Sequence, residues 1–323
     1  MIAGNRVITV FGGHGFIGRH LVRRLAKTGA IINVASRHPS QAAFLKPMGS
    51  VGQIVPVAVD VTNDESVAMA LRGSDMVINL IGILYERGKQ TFQTVHVEAA
   101  GRIARLAKAA GVERLVHISA IGADAGSPSA YARSKAAGEK AVRAGFPGAT
   151  ILRPSVLFGP EDKFFNKFAA MAAVSPALPL IGGGKSRFQP VYVGDVAEAI
   201  MAALADAGTE GKTFELGGPH VYTFKELMRK LLKEIHRDKW LVPVPWKIAE
   251  IMGSVLGAVP FFPPMLTRDQ VELLKSDNVV SAGALTFKDL GIAPTAAEVI
   301  LPTYLDRFLI GGRLAYQQQA KRS

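Results

Sequence analysis

The sequence predicts an α/β protein: a Rossmann-like, doubly wound parallel sheet with a smaller C-terminal α/β lobe. Three observations predict it. Apolar runs without polar alternation, the pattern of strands covered on both faces, recur through the first 155 residues with helical stretches between them. A glycine-rich turn, GGHGFIG (12–18), joins the first run to the first helical stretch. Several helical stretches end on glycine, which accepts the left-handed conformation that stops a helix.

In chain order, strands are expected at RVITVFG (6–12), IINVASR (31–37), IVPVAVD (54–60), MVINLIG (76–82), RLVHISA (114–120) and ATILRPS (149–155). The helices between them are FIGRHLVRRLAKTG, DESVAMALRG, VEAAGRIARLAKAAG and SKAAGEKAVRAG. Beyond Pro154 the alternation breaks down. Residues 156–190 read as loop-rich, with PALPLIGGG between helical pieces. VYVGDVAEAIMAALADAG then gives a short strand and a helix that Asp195 caps, and TFELGG another strand. The expected organisation is a nucleotide-binding domain over 1–155, a smaller lobe over 156–312 interleaved with it, and a polar basic tail over 313–323.

The glycine turn carries the first chemistry. Gly12 permits a tight turn, Gly15 lets backbone approach a pyrophosphate, and Gly18 allows helix and strand to pack closely. The first helical residues, Phe16, Ile17 and Gly18, offer N–H groups and the positive end of the helix dipole to the phosphates. Dinucleotide choice is read at the end of the second strand, where NAD sites place a carboxylate for the ribose 2′-hydroxyl. Here the strand ends Ser36-Arg37, with His38 next and no carboxylate nearby. An arginine pairs with a 2′-phosphate, so the expected cofactor is NADP(H). Asp60 and Val61 suit an adenine edge, although Asp60 equally suits a cap on the following helix; Leu80, Ile81 and Gly82 suit backbone passing the cofactor's sugar.

Residues 131–135 read YARSK. Tyr131 and Lys135 stand four apart on one helix face, where the ammonium lowers the phenol's pKa and makes it a proton donor. Glu161, Asp162 and Asp195 lie too far apart in sequence to argue for a carboxylate pair. The seven histidines are dispersed without metal-ligand spacing and cysteine is absent, so no metal and no disulfide is expected.

The net charge of +12 is uneven: residues 1–150 hold 18 basic against 9 acidic residues, and residues 151–323 hold 20 against 17. Bound phosphates would offset part of it, and an acidic partner or anionic membrane surface the rest. Nucleic acid is not expected, because the basic residues are scattered and not interleaved with aromatics. No signal peptide or bilayer-long apolar run is visible, which predicts a chain kept on the cytoplasmic side.

GGHGFIG, NLIG, HISAIGA, YARSK and ILRPSVLFGP, followed by GGGKSRFQPVYVGDVAEAI and FELGG, resemble the short-chain dehydrogenase/reductase superfamily in its extended-to-atypical branch. The resemblance implies that Tyr131 moves the proton, Lys135 tunes it and binds ribose, and Ser119 orients the substrate. It adds Ser119, Tyr131, Lys135 and Pro154 to the cofactor set. Three departures stand against turnover as the main role. The segment from Ser119 to Tyr131 is short, Val156 replaces a common asparagine, and His96 replaces another. His96 is either a substitute acid or a hydrogen-bonded structural residue.

GEKAVRAGFPGATILRPSVLFGPEDKFFNKFA, QPVYVGDVA and PFFPPMLTRDQVELL are more closely similar to the family of nucleotide-binding accessory subunits of respiratory complex I, the NADH:ubiquinone oxidoreductase. That resemblance implies a tightly held NADPH, complex I subunits near the quinone chamber as partners, and a peripheral place on the cytoplasmic face of a bacterial inner membrane. The rival is an active NADP-dependent reductase or epimerase acting on a nucleotide sugar, isoprenoid or quinone precursor. A redox-sensing regulator is a third reading.

Residues 246–264 fit no generic reductase. Ile248, Ile251, Met252, Val255, Leu256 and Val259 form one apolar stripe, preceded by Trp246 and followed by Phe261-Phe262-Pro263-Pro264. A core helix and a segment lying against lipid or an integral partner are both open; Lys239, Lys247 and Arg268 favour docking.

Overall fold

The computed structural model of the protein describes residues 5–257 and 266–312, the side chains of 255–257 excepted. The chain forms two compact units. Among the described residues, the first comprises 5–154, 193–216 and 281–293; the second holds 155–192, 217–257, 266–280 and 294–312.

In the first unit the expected strands form β1 (Val7–Phe11), β2 (Ile31–Ser36), β3 (Ile54–Ala58), β4 (Met76–Asn79), β5 (Arg114–Ile118) and β6 (Thr150–Pro154). A seventh strand, Thr213–Leu216, returns from the TFELGG stretch. All seven are parallel, in the order Thr213–Leu216, β6, β5, β4, β1, β2, β3. The chain reverses its direction of winding between β1 and β4, which in such sheets opens a crevice at the carboxyl ends of the strands.

Helices cover both faces: α1 (Phe16–Ala26), α2 (Asp64–Leu71), α3 (Ala99–Ala109), α4 (Ala130–Gly145) and helix Val193–Ala205. Helix α1 buries Leu21, Val22 and Leu25 and packs with helix Val193–Ala205, where Arg24 pairs with Glu198 at 2.6 Å. On the other face Ala100, Ile103, Ala104 and Ala107 of α3 join Val67, Leu71, Val142 and Phe146 in one core. Small residues set the α3–α4 spacing. A Cβ on Gly145 would stand 2.7 Å from the Arg105 nitrogen, and one on Gly138 2.1 Å from the His96 carbonyl oxygen.

Three boundaries differ from expectation. Ser129 caps α4 by accepting the Ala132 N–H, so the helix starts four residues before SKAAGEKAVRAG and takes in Tyr131. A π-helical turn, Gln93–Glu98, extends α3 upstream and presents His96 to α4. Asp195 lies inside the helix that begins at Val193, in its first turn, and does not precede it as a cap.

The second unit buries Phe158, Phe165, Leu178, Phe188, Leu227 and Leu231 among helices Phe165–Val174 and Phe224–Glu234. Asp162 anchors it, accepting N–H groups of Gly159, Phe164 and Asn166 and, at 2.5 Å, the Tyr304 hydroxyl. PALPLI, expected as loop, is the strand Ala177–Ile181, paired in parallel with Trp240–Val244. Pro179 stands opposite Val242 and Pro243 opposite Leu180 in a two-stranded ribbon, where prolines are tolerated because outward positions lose no ladder bond. The segment 261–264, Val259 and the tail 313–323 lie outside the described residues.

Candidate functional site

The glycine turn follows β1 directly. Gly12 takes φ +78°, donates its N–H to the Ala35 carbonyl, and accepts that of Gly15 at 3.0 Å. Gly15 then opens α1 with no side-chain cap and no acidic residue in the first turn. The leading N–H groups of Phe16, Ile17 and Gly18 therefore have no partner within the helix. A Cβ on Gly18 would stand 2.3 Å from the Gly13 carbonyl oxygen, so only glycine lets the helix start this close to the strand.

At the end of β2 the buried Ser36 hydroxyl accepts the His38 N–H at 3.2 Å, a tight bend that leaves Arg37 and His38 exposed. The Arg37 guanidinium reaches the Gln90 side-chain oxygen at 3.4 Å. Asp60 accepts both the N–H and the hydroxyl of Thr62, which with the Arg37 and Arg102 charges holds its carboxyl below the usual range. It does not cap α2. Asn63 does, accepting the Ser66 N–H. The Val61 carbonyl accepts from Arg102, and the Pro154 carbonyl from the Ile121 N–H.

After β4, Leu80 donates to the Phe11 carbonyl and Ile81 to the Asn79 side chain. Gly82 follows, with the Lys135 Nζ 3.6 Å and the His96 Nε2 3.7 Å from where its Cβ would be. The turns after β1 and β4 thus meet at Gly12, and the turn after β4 meets α4 at Gly82. Buried Lys135 donates to the Ile118 carbonyl at 3.1 Å; burial lowers its pKa to about 8, against the pull of Glu139. Glu139 is itself clamped by Arg153 at 2.7 Å and 2.8 Å. Ser119 is buried, and its hydroxyl has no hydrogen-bond partner among the described residues. An unpaired buried hydroxyl costs on the order of 1–3 kcal/mol, which a ligand atom can relieve. The cradle at Gly12–Gly18 and this hydroxyl fit a dinucleotide that brings phosphates to one end and a hydrogen-bonding group to the other.

Tyr131 sets its ring edge-on to Phe92 and His96, with centroids 5.8 Å and 5.5 Å away. His96 is fully committed. Its Nε2 accepts the Ile83 N–H at 3.0 Å, and its Nδ1 lies 2.8 Å from the Ser134 Oγ. The single Ser134 proton goes to the Tyr131 carbonyl, so Nδ1–H is the donor to Ser134. Both ring nitrogens are used in the neutral form, which makes His96 a structural residue and not a substitute acid. Polar residues hidden in apolar strand runs complete the site: Asn79 lies 3.1 Å from the His117 Nδ1. Those breaks in otherwise apolar runs were the signal in the sequence. No cluster of three metal-ligating side chains occurs among the described residues.

Burial, then the Lys135 charge, lowers both His96 and His117 to about 3. Their folded values lie below the unfolded 6.5, so the unfolded chain takes up more protons as pH falls. The associated stability is full above pH 6.5 and drains away toward pH 3. Between pH 7.5 and 5.5, urea unfolding should lose roughly 1 kcal/mol for each ring. His117→Gln should halve that loss, and an acid-insensitive midpoint would contradict the burial of both neutral rings.

A family model described as the NAD dependent epimerase/dehydratase family matches residues 8–217. The chain is 40% identical, over 95% of its length and 79% of the relative's, to the mitochondrial NADH dehydrogenase [ubiquinone] 1 alpha subcomplex subunit 9 of Arabidopsis thaliana. It is 36% identical, over 90% of its length and 76% of the relative's, to the mitochondrial NADH-ubiquinone oxidoreductase 40 kDa subunit of Neurospora crassa. Among solved structures, a dTDP-glucose 4,6-dehydratase from Streptomyces venezuelae with NAD and TYD bound shares the fold. Its TM-score is 0.72 at 23% identity, over 94% of this chain and 96% of that one.

Proposed function

The chain belongs to the NAD dependent epimerase/dehydratase family, a family of nicotinamide dinucleotide proteins, and from that premise we propose that it is an NADP(H)-binding accessory subunit of a respiratory NADH:ubiquinone oxidoreductase. It is kept for the cofactor it holds and the surface it presents, not for turnover. One observation carries the reading. The family match ends at residue 217, whereas likeness to the alpha subcomplex subunit runs over 95% of the chain.

NADP(H) is favoured over NAD(H) by Arg37 and His38 at the end of β2, with the nearby Asp60 carboxylate committed to Thr62. Gly12, Gly15, Phe16, Ile17 and Gly18 would hold the pyrophosphate, and Ser36 and Arg37 the 2′-phosphate. Asp60 and Val61 would border the adenine; Leu80, Ile81, Gly82 and Pro154 would line the path to the nicotinamide. Lys135 would bind ribose hydroxyls, with Ser119 and Tyr131 beside the ring. A bound nicotinamide supplies hydride chemistry. Lys135 keeps its reason to exist without that chemistry, because its ammonium, which donates to the Ile118 carbonyl, would also hold the ribose.

The docking surface is proposed on helix Trp246–Gly257. Ala249 and Gly253 face inward, with Trp246 packed against Ile181, while Ile248, Ile251 and Met252 are exposed. No described helix is long and apolar enough to cross a membrane. A peripheral position on the cytoplasmic face of the inner membrane, against complex I subunits near the quinone chamber, follows from this reading.

Blue-native separation of solubilised membranes tests it: the chain should migrate with NADH:ubiquinone oxidoreductase, and a small soluble oligomer would refute it. The retained Ser119, Tyr131 and Lys135 favour a second reading, an active reductase. Tyr131→Phe separates the two. It should leave NADPH bound and membrane NADH:quinone activity near the parental level, whereas Lys135→Ala should loosen the cofactor. Loss of a measurable reductase activity in Tyr131→Phe, with cofactor retained, would establish the enzyme instead.

A further inference from the structure

His14 sits inside the glycine turn, between Gly12 and Gly15, at the uncapped start of α1. Its Nδ1 is shut off from solvent and has no hydrogen-bond partner among the described residues. His96, held as a structural residue, pairs both of its ring nitrogens. The charges that bear on the His14 ring are Arg19 in the first turn of α1 and Arg37 and His38 after β2, and none of them is acidic. Arg19 lies over the Phe44 ring at 5.1 Å, and the field of Arg37 also reaches Asp60, whose carboxylate is held by Thr62. Two segments, the first turn of α1 and the bend after β2, thus bring basic side chains to bear on a ring with one unpaired nitrogen. The group that balances such a cluster is an oxyanion of high charge.

We propose that His14 belongs, with Arg19, Arg37 and His38, to a receptor for a phosphate monoester, the 2′-phosphate of NADP(H), and takes up a proton from solvent when that phosphate binds. This rests on the NADP(H) reading above. Burial first, then the neighbouring Arg19, Arg37 and His38 groups, hold the ring below its ordinary pKa. A contacting dianion reverses the sign of the local field and favours imidazolium. The free-state value is lowered and the bound-state value raised, so uptake occurs in the window between them. NADPH affinity should therefore strengthen as pH falls through neutrality, by up to about tenfold per pH unit. The phosphate's own second proton, with a pKa near ~6, moves oppositely, because nearby cations favour its dianion.

The test is calorimetric titration of the full chain, freed of nucleotide, with NADPH and with NADH at pH 7 in buffers of different ionisation enthalpy. NADPH should draw in close to one proton and NADH none. His14→Gln should abolish the uptake or turn it into release and weaken NADPH about five- to tenfold, with NADH binding unchanged as the sign of an intact turn. The His14 imidazole pKa, followed by NMR in the parent, should rise on NADPH addition, which needs no variant. Undiminished uptake in His14→Gln, or an imidazole pKa that does not rise, overturns the inference and leaves the cofactor assignment standing. NADPH binding no tighter than NADH in the parent overturns both.

Discussion

Arg37→Asp should weaken NADPH binding by roughly 2–4 kcal/mol while NADH binding holds or improves. The loss has two parts. A charge-assisted bond to the 2′-phosphate disappears, and a like charge takes its place beside the same oxygens. NADH gains a carboxylate that can accept from its ribose 2′-hydroxyl, the arrangement that NAD sites use. Arg37 is exposed and its side-chain hydrogen bond to Gln90 is a long one, so the fold itself should be indifferent. Titration calorimetry with both nucleotides, alongside a thermal melt, measures the three quantities. Equal NADPH affinity in variant and parent would remove the assignment of Arg37.

Replacing Ile248 and Ile251 together by serine should release the protein from membranes and shift its melting temperature by no more than about 2 °C. The two side chains are 50% and 65% exposed, so the folded chain gives up little buried area when they shrink. A core helix behaves oppositely: losing two buried aliphatics to hydroxyl-bearing side chains costs on the order of 2–5 kcal/mol per site. Salt separates the forces at the membrane. Attachment through Lys247 and Arg268 alone would be lost at moderate ionic strength, whereas apolar insertion would survive it. A sharply lowered melting point, or a double variant still bound to membranes, would refute docking through this face.

The apolar stripe on that helix was legible, yet its direction was not. Periodicity gives a face without saying whether it turns inward. The direction comes from the opposite face, where Ala249 and Gly253 are small enough to pack closely; a Cβ on Gly253 would stand 2.9 Å from the Arg268 nitrogen. The strand at PALPLI departs from its sequence pattern for a related reason. Two prolines argue against a strand in a broad sheet, and only the pairing with Trp240–Val244 makes it an isolated ribbon that tolerates them.

The sequence by itself determined the parallel sheet, the strand–turn–helix glycine cradle, and the placing of Tyr131 and Lys135 on one helix. These depend on patterns local in the chain: unbroken apolar runs, a Cβ-free turn, a four-residue spacing. Tertiary structure alone decided what the buried polar groups do. His96 faces a choice between acid and scaffold that turns on Ile83, 13 positions away, and Ser134, 38 away. Asn79 meets His117 across neighbouring strands, and Glu139, whose charge acts on Lys135, is held in place by Arg153 of β6. His14 stands apart from them because its Nδ1 has no hydrogen-bond partner among the described residues. Hydrogen bonds and burial are properties of neighbours in space, and a proton's place is set by those neighbours rather than by the residue that carries it.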